Sequence, residues 1–562
     1  GLTLTANIAA NIQNDRYNYL YSAFGSSLST DGAVSVMSTR SMSVNNQYMA
    51  QYQKLIGGKH NVDFLLGYEQ FRLRNQYLGA SNTHLYDPFI GELDNADSDT
   101  DKSMSSYTNK YMSEGVFARA QYDYDGKYFF SASFRRDASS RFSKDNRWGN
   151  FGSVGAAWLL SKEDFMKDIA WINSLKYKVS WGVQGNDNIL YDDATPNYYA
   201  YRDQYSMTYN NGSYSLIMKY KGNEDLTWET SYSFNTGFEF ELFNRRLNGS
   251  FDFFYRKTDD LLFNNPVPVS SGITTGSIPI NAFNVSNTGF EVDLNGVIIK
   301  NKNLEWSANL NLTHYKNKIL KLTDALDAQG GQKGAYFIRR VGGSLYESYL
   351  KRFAGVDPDN GKALYYVDPD NGDWSTTSDY DKAQLSDCGD ILPKVYGGFG
   401  TTIKAYGFDL SASFSYQLGG KFYDGTYQSF MHNGGSGMQG FNWHKDILNA
   451  WTPENRYTSV PRLDASDACY QLDSDRFLTS SDYLSVNNIT LGYTLPKTLV
   501  EKLGISGLRV YVSGDNLGVI SARKGLDPRE SFGLGSSTSG SGASQSNYSV
   551  MKSIVGGISL TF

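Results

Sequence analysis

Apolar and polar positions alternate with a period of two along most of the chain. In LNGSFDFFYRK, Leu247, Gly249, Phe251, Phe253 and Tyr255 share one face, while Asn248, Ser250, Asp252 and Arg256 share the other, with Phe254 as the exception. In NLEWSANLNLTH, Leu304, Trp306, Ala308, Leu310 and Leu312 oppose Glu305, Ser307, Asn309, Asn311 and Thr313. In FDLSASFSY, Phe408, Leu410, Ala412, Phe414 and Tyr416 oppose Asp409, Ser411, Ser413 and Ser415. Successive side chains of a strand point to opposite faces, so these runs predict strands with one apolar face. Each is about as long as the roughly nine to eleven residues that a tilted strand needs to cross a bilayer.

Two arrangements hide such a face: a second sheet packed against it, or lipid. The connectors favour lipid. Short turns fall at AYGFD (405–409), DYDGKY (123–128), LFNRRL (242–247) and KNKN (300–303). Long stretches rich in Gly, Ser and Asp fall at 73–110, 186–226, 259–285, 417–481 and 519–546. The polar faces also carry little Lys. Short turns on one side and long loops on the other are the asymmetry of an outer-membrane barrel, so the predicted fold class is all-β, a transmembrane antiparallel β-barrel with about eighteen strands in this chain.

Strand patterning persists to the last residue. Ile554, Gly556, Ile558, Leu560 and Phe562 would face lipid, with Phe562 in an aromatic girdle and the final strand closing the barrel. The segment ending in Ile558, Leu560 and Phe562 also resembles the C-terminal signal by which outer-membrane proteins reach their insertion machinery. With residue 562 on the periplasmic side, 547–562 descends, 507–517 ascends, 484–494 descends, and LPKTLVEKLGIS (495–506) is a periplasmic connection. Alternation also begins at once, with Leu2, Leu4, Ala6 and Ile8 opposite Thr3, Thr5 and Asn7. The chain therefore reads as a piece of something longer.

Composition agrees. Aromatics are 15% of the 562 residues, with 42 Tyr, 32 Phe and 55 Gly, which suits strands joined by tight turns. Hydrophobic residues are only 40%, and no stretch approaches a transmembrane helix, but a barrel that shows lipid half its residues averages out as polar. The net charge of −6 is spread along the chain, without the basic face that nucleic acid requires. Two cysteines, Cys388 and Cys469, make no disulfide framework, and whether they pair is left open.

Nine stretches, in order, resemble the SusC/RagA family of TonB-dependent outer-membrane transporters. They are YFFSASFRRDASSRF (128–142), WGNFGSVGAAWLLSKEDF (148–165), LKYKVSWGVQGND (175–187), LTWETSYSFNTGFEF (226–240), FDFFYRKTDDLL (251–262), GFEVDL (289–294), FAGVDPDNGKALYY (353–366), SDYLSVNNITLGYTLPK (481–497) and LRVYVSGDNL (508–517). The resemblance implies that residues 1–562 are the C-terminal portion of a barrel of about twenty-two strands, with the plug, an N-terminal extension and the first strands upstream. It implies an importer of oligosaccharides or peptides, energised through TonB–ExbB–ExbD acting on the missing region, capped by a SusD-like lipoprotein, and leaves room for a dimer of transporter–lid pairs. The alternative is a surface-binding barrel, an adhesin or a surface enzyme. A soluble lectin or propeller lacks support, because no repeat of about forty residues is found.

Candidate chemistry is sparse. None of the five histidines sits in a metalloprotease motif or a nucleophile elbow, so no catalytic residue is assigned and no enzyme is expected. The two DPDNG segments, 357–361 and 368–372, place Gly one position too early for an EF-hand and read as turns. In LDNADSDTD, Asp97, Asp99 and Asp101 alternate and could converge on Ca²⁺ in an external loop, but a solvated acidic loop is the better account, and no cofactor is expected. GSGMQG (435–440) has neither the strand nor the helix of a dinucleotide site. The aromatics around it, Phe441 and Trp443, with Trp374 and Tyr380 in the preceding loop, are the candidates for contact with substrate or lid; packing within the loop is the competing account.

Overall fold

The computed structural model describes residues 1–562 except 23, 25–30, 98–101, 192–194, 211, 274–275, 335, 436–437, 439, 468–469, 501–503 and 532–549. Among the described residues one sheet holds sixteen strands whose order follows the chain. They are Leu2–Tyr21, Ala33–Ile56, His60–Thr83, Ser103–Tyr124, Tyr128–Ser139, Trp148–Leu159, Ile172–Asn186, Glu229–Leu242, Leu247–Pro266, Ser277–Lys300, Leu304–Lys321, Val395–Ala405, Phe408–Leu418, Tyr483–Thr494, Gly507–Ser521 and Ser553–Thr561. The recorded pairings are antiparallel, as hairpin connections require.

The count is sixteen where about eighteen strands were expected. In residues 322–394 the strands are short: Phe353–Val356, Ala363–Asp368 and Asp373–Thr377 form one small sheet, and Glu347–Lys351 and Leu385–Asp390 belong to another. Runs of four to six residues are too short to cross a bilayer. Conversely, several spanning strands outrun their expected ends. Ala33–Ile56 and His60–Thr83 have 24 residues each, a rise of about 80 Å against a hydrocarbon core of about 30 Å.

The molecule divides into two compact units, one of residues 1–157, 180–232 and 258–282, the other of 158–179, 233–257 and 283–562. In the first, two short hairpins join paired ends, Ile56 with His60 and Tyr124 with Tyr128, through three residues whose first two have positive φ, Gly57 and Gly58 (58° and 69°) and Asp125 and Gly126 (55° and 59°). These mirror-image turns match the twist of the strands they join. Asp123 tightens the second by accepting from the Gly126 N–H at 2.7 Å. In the second unit, Tyr406 and Gly407 do the same. Aromatic pairs gather at these ends: Tyr124 with Tyr128 and His60 in one unit, Trp171 with Phe243 and Phe408 with Tyr493 in the other. That is the placement of an interfacial girdle.

The apolar faces of the strands stay open. Phe64, Leu66, Phe251, Val510 and Val512 are all exposed, and no second layer covers them among the described residues. Leaving such side chains in water forgoes about 1.5–3 kcal/mol each, so lipid is the environment that fits. The terminal strand shares this face: Leu560 opposes Leu508 and Ile558 opposes Val510, with Phe562 exposed beyond them. The polar faces carry paired charges. In the first unit Arg135 bridges Glu69 (3.0 Å) and Asp137 (2.6 Å); in the second, Lys178 bridges Glu239 (3.2 Å) and Asp252 (2.9 Å).

Buried side chains concentrate in the long connections. In the first unit, Phe142, Ile189, Ala200, Tyr220 and Leu226 pack together with Trp228 and Leu262. Beside them Arg141 donates to the Asp187 carbonyl and to Asn188 Oδ1, both at 2.9 Å, and lies over the rings of Tyr111 and Tyr198.

Candidate functional site

In the second unit the connections 322–394 and 419–482 build one body with its own core. Leu350 and Cys388 from the first connection pack with Tyr423, Met431, Ile447, Ala450, Val460, Tyr470 and Phe477 from the second. A carboxylate, Asp473, sits at the junction. Its Oδ2 accepts from Tyr336 (3.0 Å), and its Oδ1 accepts from Tyr423 (3.2 Å) and Gln428 (2.8 Å). Its carbonyl accepts from Tyr380 at 2.7 Å. Next to it, Asp475 Oδ1 accepts from the Phe353 N–H at 2.7 Å, and Lys421 donates to the Cys388 carbonyl. Burial and the nearby Asp473 charge push the Tyr336 phenol up to about 12, and the same causes raise Tyr423 further. Burial pushes the Cys388 thiol up to about 11, so it is a packing residue rather than a nucleophile.

The first DPDNG segment is a turn that docks on this body. Asp357 Oδ1 accepts from the Asp359 N–H, Gly361 adopts φ 74°, and Trp451 donates to the Pro358 carbonyl at 3.1 Å. A Cβ on Gly361 would lie 2.6 Å from the Trp451 ring, so the close approach itself selects glycine.

The four candidate aromatics take different roles. Tyr380 is half-buried: it packs edge-on against Tyr365, carries the Lys351 ammonium 3.6 Å from its ring centre, and bonds to Asp473. It holds the body together. Trp374, 54% exposed, stands on the outer strand of the three-stranded sheet against Tyr366, with the Arg352 guanidinium 5.5 Å from its ring. Trp443 is pinned on one side, stacked on the buried His432 ring at 4.8 Å and donating to the His432 carbonyl at 2.8 Å. Half of it remains exposed, and Phe441 is more exposed still. The alternating acidic run is described only at Asp97, since Asp99 and Asp101 lie outside the described residues. Among the described residues no three metal-ligating side chains converge.

Sequence reasoning missed Asp473, because nothing local marks it among many loop aspartates. It also missed Leu448 and Tyr457, the most exposed apolar side chains of this body at 86% and 93%. The residues that follow them in the chain are joined, since Thr458 Oγ1 donates to the Asn449 carbonyl at 2.6 Å.

Residues 1–428 match the family described as TonB dependent receptor-like, beta-barrel. The chain belongs to that family. Its place is the outer membrane, as a multi-pass β-barrel of the SusC/RagA type. Among curated relatives, TonB-dependent receptor P3 of Formosa agariphila is 29% identical over 498 residues, covering 84% of this chain and 48% of that protein. TonB-dependent receptor SusC of Bacteroides thetaiotaomicron is 29% identical over 497 residues, covering 86% and 47%. A chain from the structure of the RagAB peptide transporter superposes with a TM-score of 0.85 at 28% identity, over 100% of this chain and 60% of its own. The chain thus spans about half the length of the curated relatives it matches. These relatives are receptors and a transporter, not enzymes.

Proposed function

We propose that residues 1–562 form the C-terminal portion of the barrel of an outer-membrane importer of oligosaccharides or peptides. The observation that carries this is the superposition on the RagAB peptide transporter over the whole chain at 28% identity, beside a SusC relative at 29%. Energy enters through TonB–ExbB–ExbD acting on a region outside this chain, since the outer membrane holds no ATP of its own. A SusD-like surface lipoprotein caps the long-connection end. Exposed aromatics there, Trp374, Phe441 and Trp443, offer flat apolar faces for a sugar ring, a peptide side chain or the lid, while Tyr380 is tied to Asp473 within the loop body. The segment ending in Ile558, Leu560 and Phe562 serves as the insertion signal.

The test is to purify the full-length protein from its own membrane in mild detergent and identify what accompanies it. A stoichiometric surface lipoprotein, a bound glycan or peptide, and loss of that ligand's uptake when TonB is deleted are expected. A protein that purifies alone, from cells whose uptake is indifferent to TonB, overturns the proposal.

A further inference from the structure

In the first unit the strand registers fix which residues share a face. Ala33–Ile56, His60–Thr83, Ser103–Tyr124 and Tyr128–Ser139 pair in turn without a shift. Leu66 opposes Ala118 and Ala118 opposes Phe134, and the exposed Phe64, Leu66 and Phe134 mark the apolar, lipid-facing side. Side chains two apart share a side, so Arg72 and Arg74 continue this same face. Lys110 opposes Arg74 and Arg40 opposes Gln76, which puts both on it as well. All four cations are exposed, and among the described residues none has a carboxylate within ion-pair reach. The carboxylates sort the other way. Of the five on these strands, Asp63, Glu69, Asp123 and Asp137 lie on the opposite face. Only Glu114 lies outward, where it accepts from the Tyr68 hydroxyl at 3.2 Å.

These cations begin where lipid tails end. The His60 ring lies beside Tyr122 and Tyr124, next to the tight turn. The twelve steps from His60 to Arg72 rise about 40 Å along the strand, or about 30 Å along the membrane normal at a tilt of about 40°. That is about the depth of the hydrocarbon core, which puts Arg72 at its far edge and the other three beyond it, at head-group level. Arg74 and Lys110 stand directly across from each other, a like-charge pair that costs the sheet stability unless an anion bridges it. Four cations against Glu114 leave the patch strongly positive. Guanidinium forks fit phosphate oxygens, and the apolar stems of Arg and Lys suit the edge of a bilayer.

We propose that Arg40, Arg72, Arg74 and Lys110 hold the phosphate of an outer-leaflet glycolipid against the barrel wall, with its acyl chains along Leu66, Met112 and Val116. The site depends on the outer-membrane placement and not on the cargo. The experiment titrates the full-length protein, in a neutral detergent, with monophosphoryl lipid A and counts bound lipid by native mass spectrometry. Binding should be at least about tenfold tighter than for the same lipid stripped of its phosphate. The triple variant Arg72→Gln, Arg74→Gln, Lys110→Gln should lose at least about tenfold in affinity and keep the heat-modifiable migration of a folded barrel. Lys110→Gln alone, the milder change, should lose about threefold. Arg119→Gln, on the opposite face beside Asp63, should bind as the parent does. Unchanged affinity in the Lys110→Gln and triple variants overturns the proposal, as does equal binding of the phosphate-free lipid or an equal loss in Arg119→Gln. Inorganic phosphate that binds as tightly as the lipid would assign the cations to a free anion, and overturns it too.

Discussion

Replacing Asp473 by Ala should loosen the loop body while leaving the spanning strands untouched. The carboxylate satisfies three side-chain donors, and one of them, the Tyr423 hydroxyl, belongs to a residue only 4% exposed. A buried donor left without an acceptor costs about 1–3 kcal/mol. Tyr423 should sit near the middle of that range, at about 2 kcal/mol, and the half-buried Tyr336 and Gln428, which can turn to water, near its bottom. The sum is about 4 kcal/mol, or about a thousandfold in the opening equilibrium of this body. The Tyr380 contact survives, because it uses the backbone carbonyl. Hydrogen exchange on the full-length protein in detergent reads this directly. Amides of Glu347–Lys351 and Lys421–Tyr423 should exchange about a thousandfold faster, with Val395–Ala405 and Phe408–Leu418 unchanged. Tyr423→Phe, which removes one donor and leaves the acceptor two others, should cost about 1 kcal/mol. Exchange in Asp473→Ala within about threefold of the parent would refute the carboxylate's role as the junction.

Four other outcomes follow from the same geometry. Gly361→Ala should destabilise the loop body by about 1–3 kcal/mol, through the positive φ and the Trp451 ring, seen as faster proteolysis of the loops; an unchanged digest would show that the turn can move away. Phe441→Ala should lower uptake while thermal stability stays within about 0.5 kcal/mol, and full uptake of the true substrate would return Phe441 to the category of bystander. Deleting Phe562 should reduce the amount of protein reaching the outer membrane, measured by surface labelling, and normal levels would dismiss the terminal residue as a signal. The Tyr336 phenol is raised to about 12 from 10.0, so its neutral form is favoured in the folded body. Its contribution is therefore complete below pH 10.0 and lost as pH climbs toward about 12, and loop protection measured against pH should fall in that window.

Much of the fold was legible because lipid imposes a simple code. The alternation in 304–313 and 408–416 reappears as paired strands, with Leu310 opposite Phe399 and Phe399 opposite Phe414. The turns at 125–126 and 406–407 were readable from their glycines, Gly126 and Gly407, which take positive φ at no steric cost. Strand ends were not, since a strand that continues past the bilayer no longer meets lipid and its pattern fades, as at Ser103–Tyr124. The small strands in 353–377, FAGV, ALYYVD and DWSTT, are too short to carry a readable alternation. The site was legible as a cluster of aromatics but not as a division of labour. Tyr380 and Trp374 look alike in the sequence, and only the three-dimensional contacts of Asp473 and Lys351 separate a support from a free surface. A two-stranded hairpin, Gln204–Asn210 with Ser213–Tyr220, escaped notice because its strands lie inside the stretch 186–226 read as loop.

The core formed by Leu350, Met431, Tyr470 and Phe477 is drawn from the two connections, whereas the spanning strands leave Phe251, Val510 and Val512 exposed. Inheritance can therefore act on the two independently. A lineage is free to rebuild the loop body around Asp473, lengthening or trading whole segments, while the spanning strands keep the alternation that a lipid-facing surface demands. Divergence among such proteins should accordingly be steepest in 322–394 and 419–482 and shallowest at the tight reversals, where Gly126 and Gly407 tolerate few replacements.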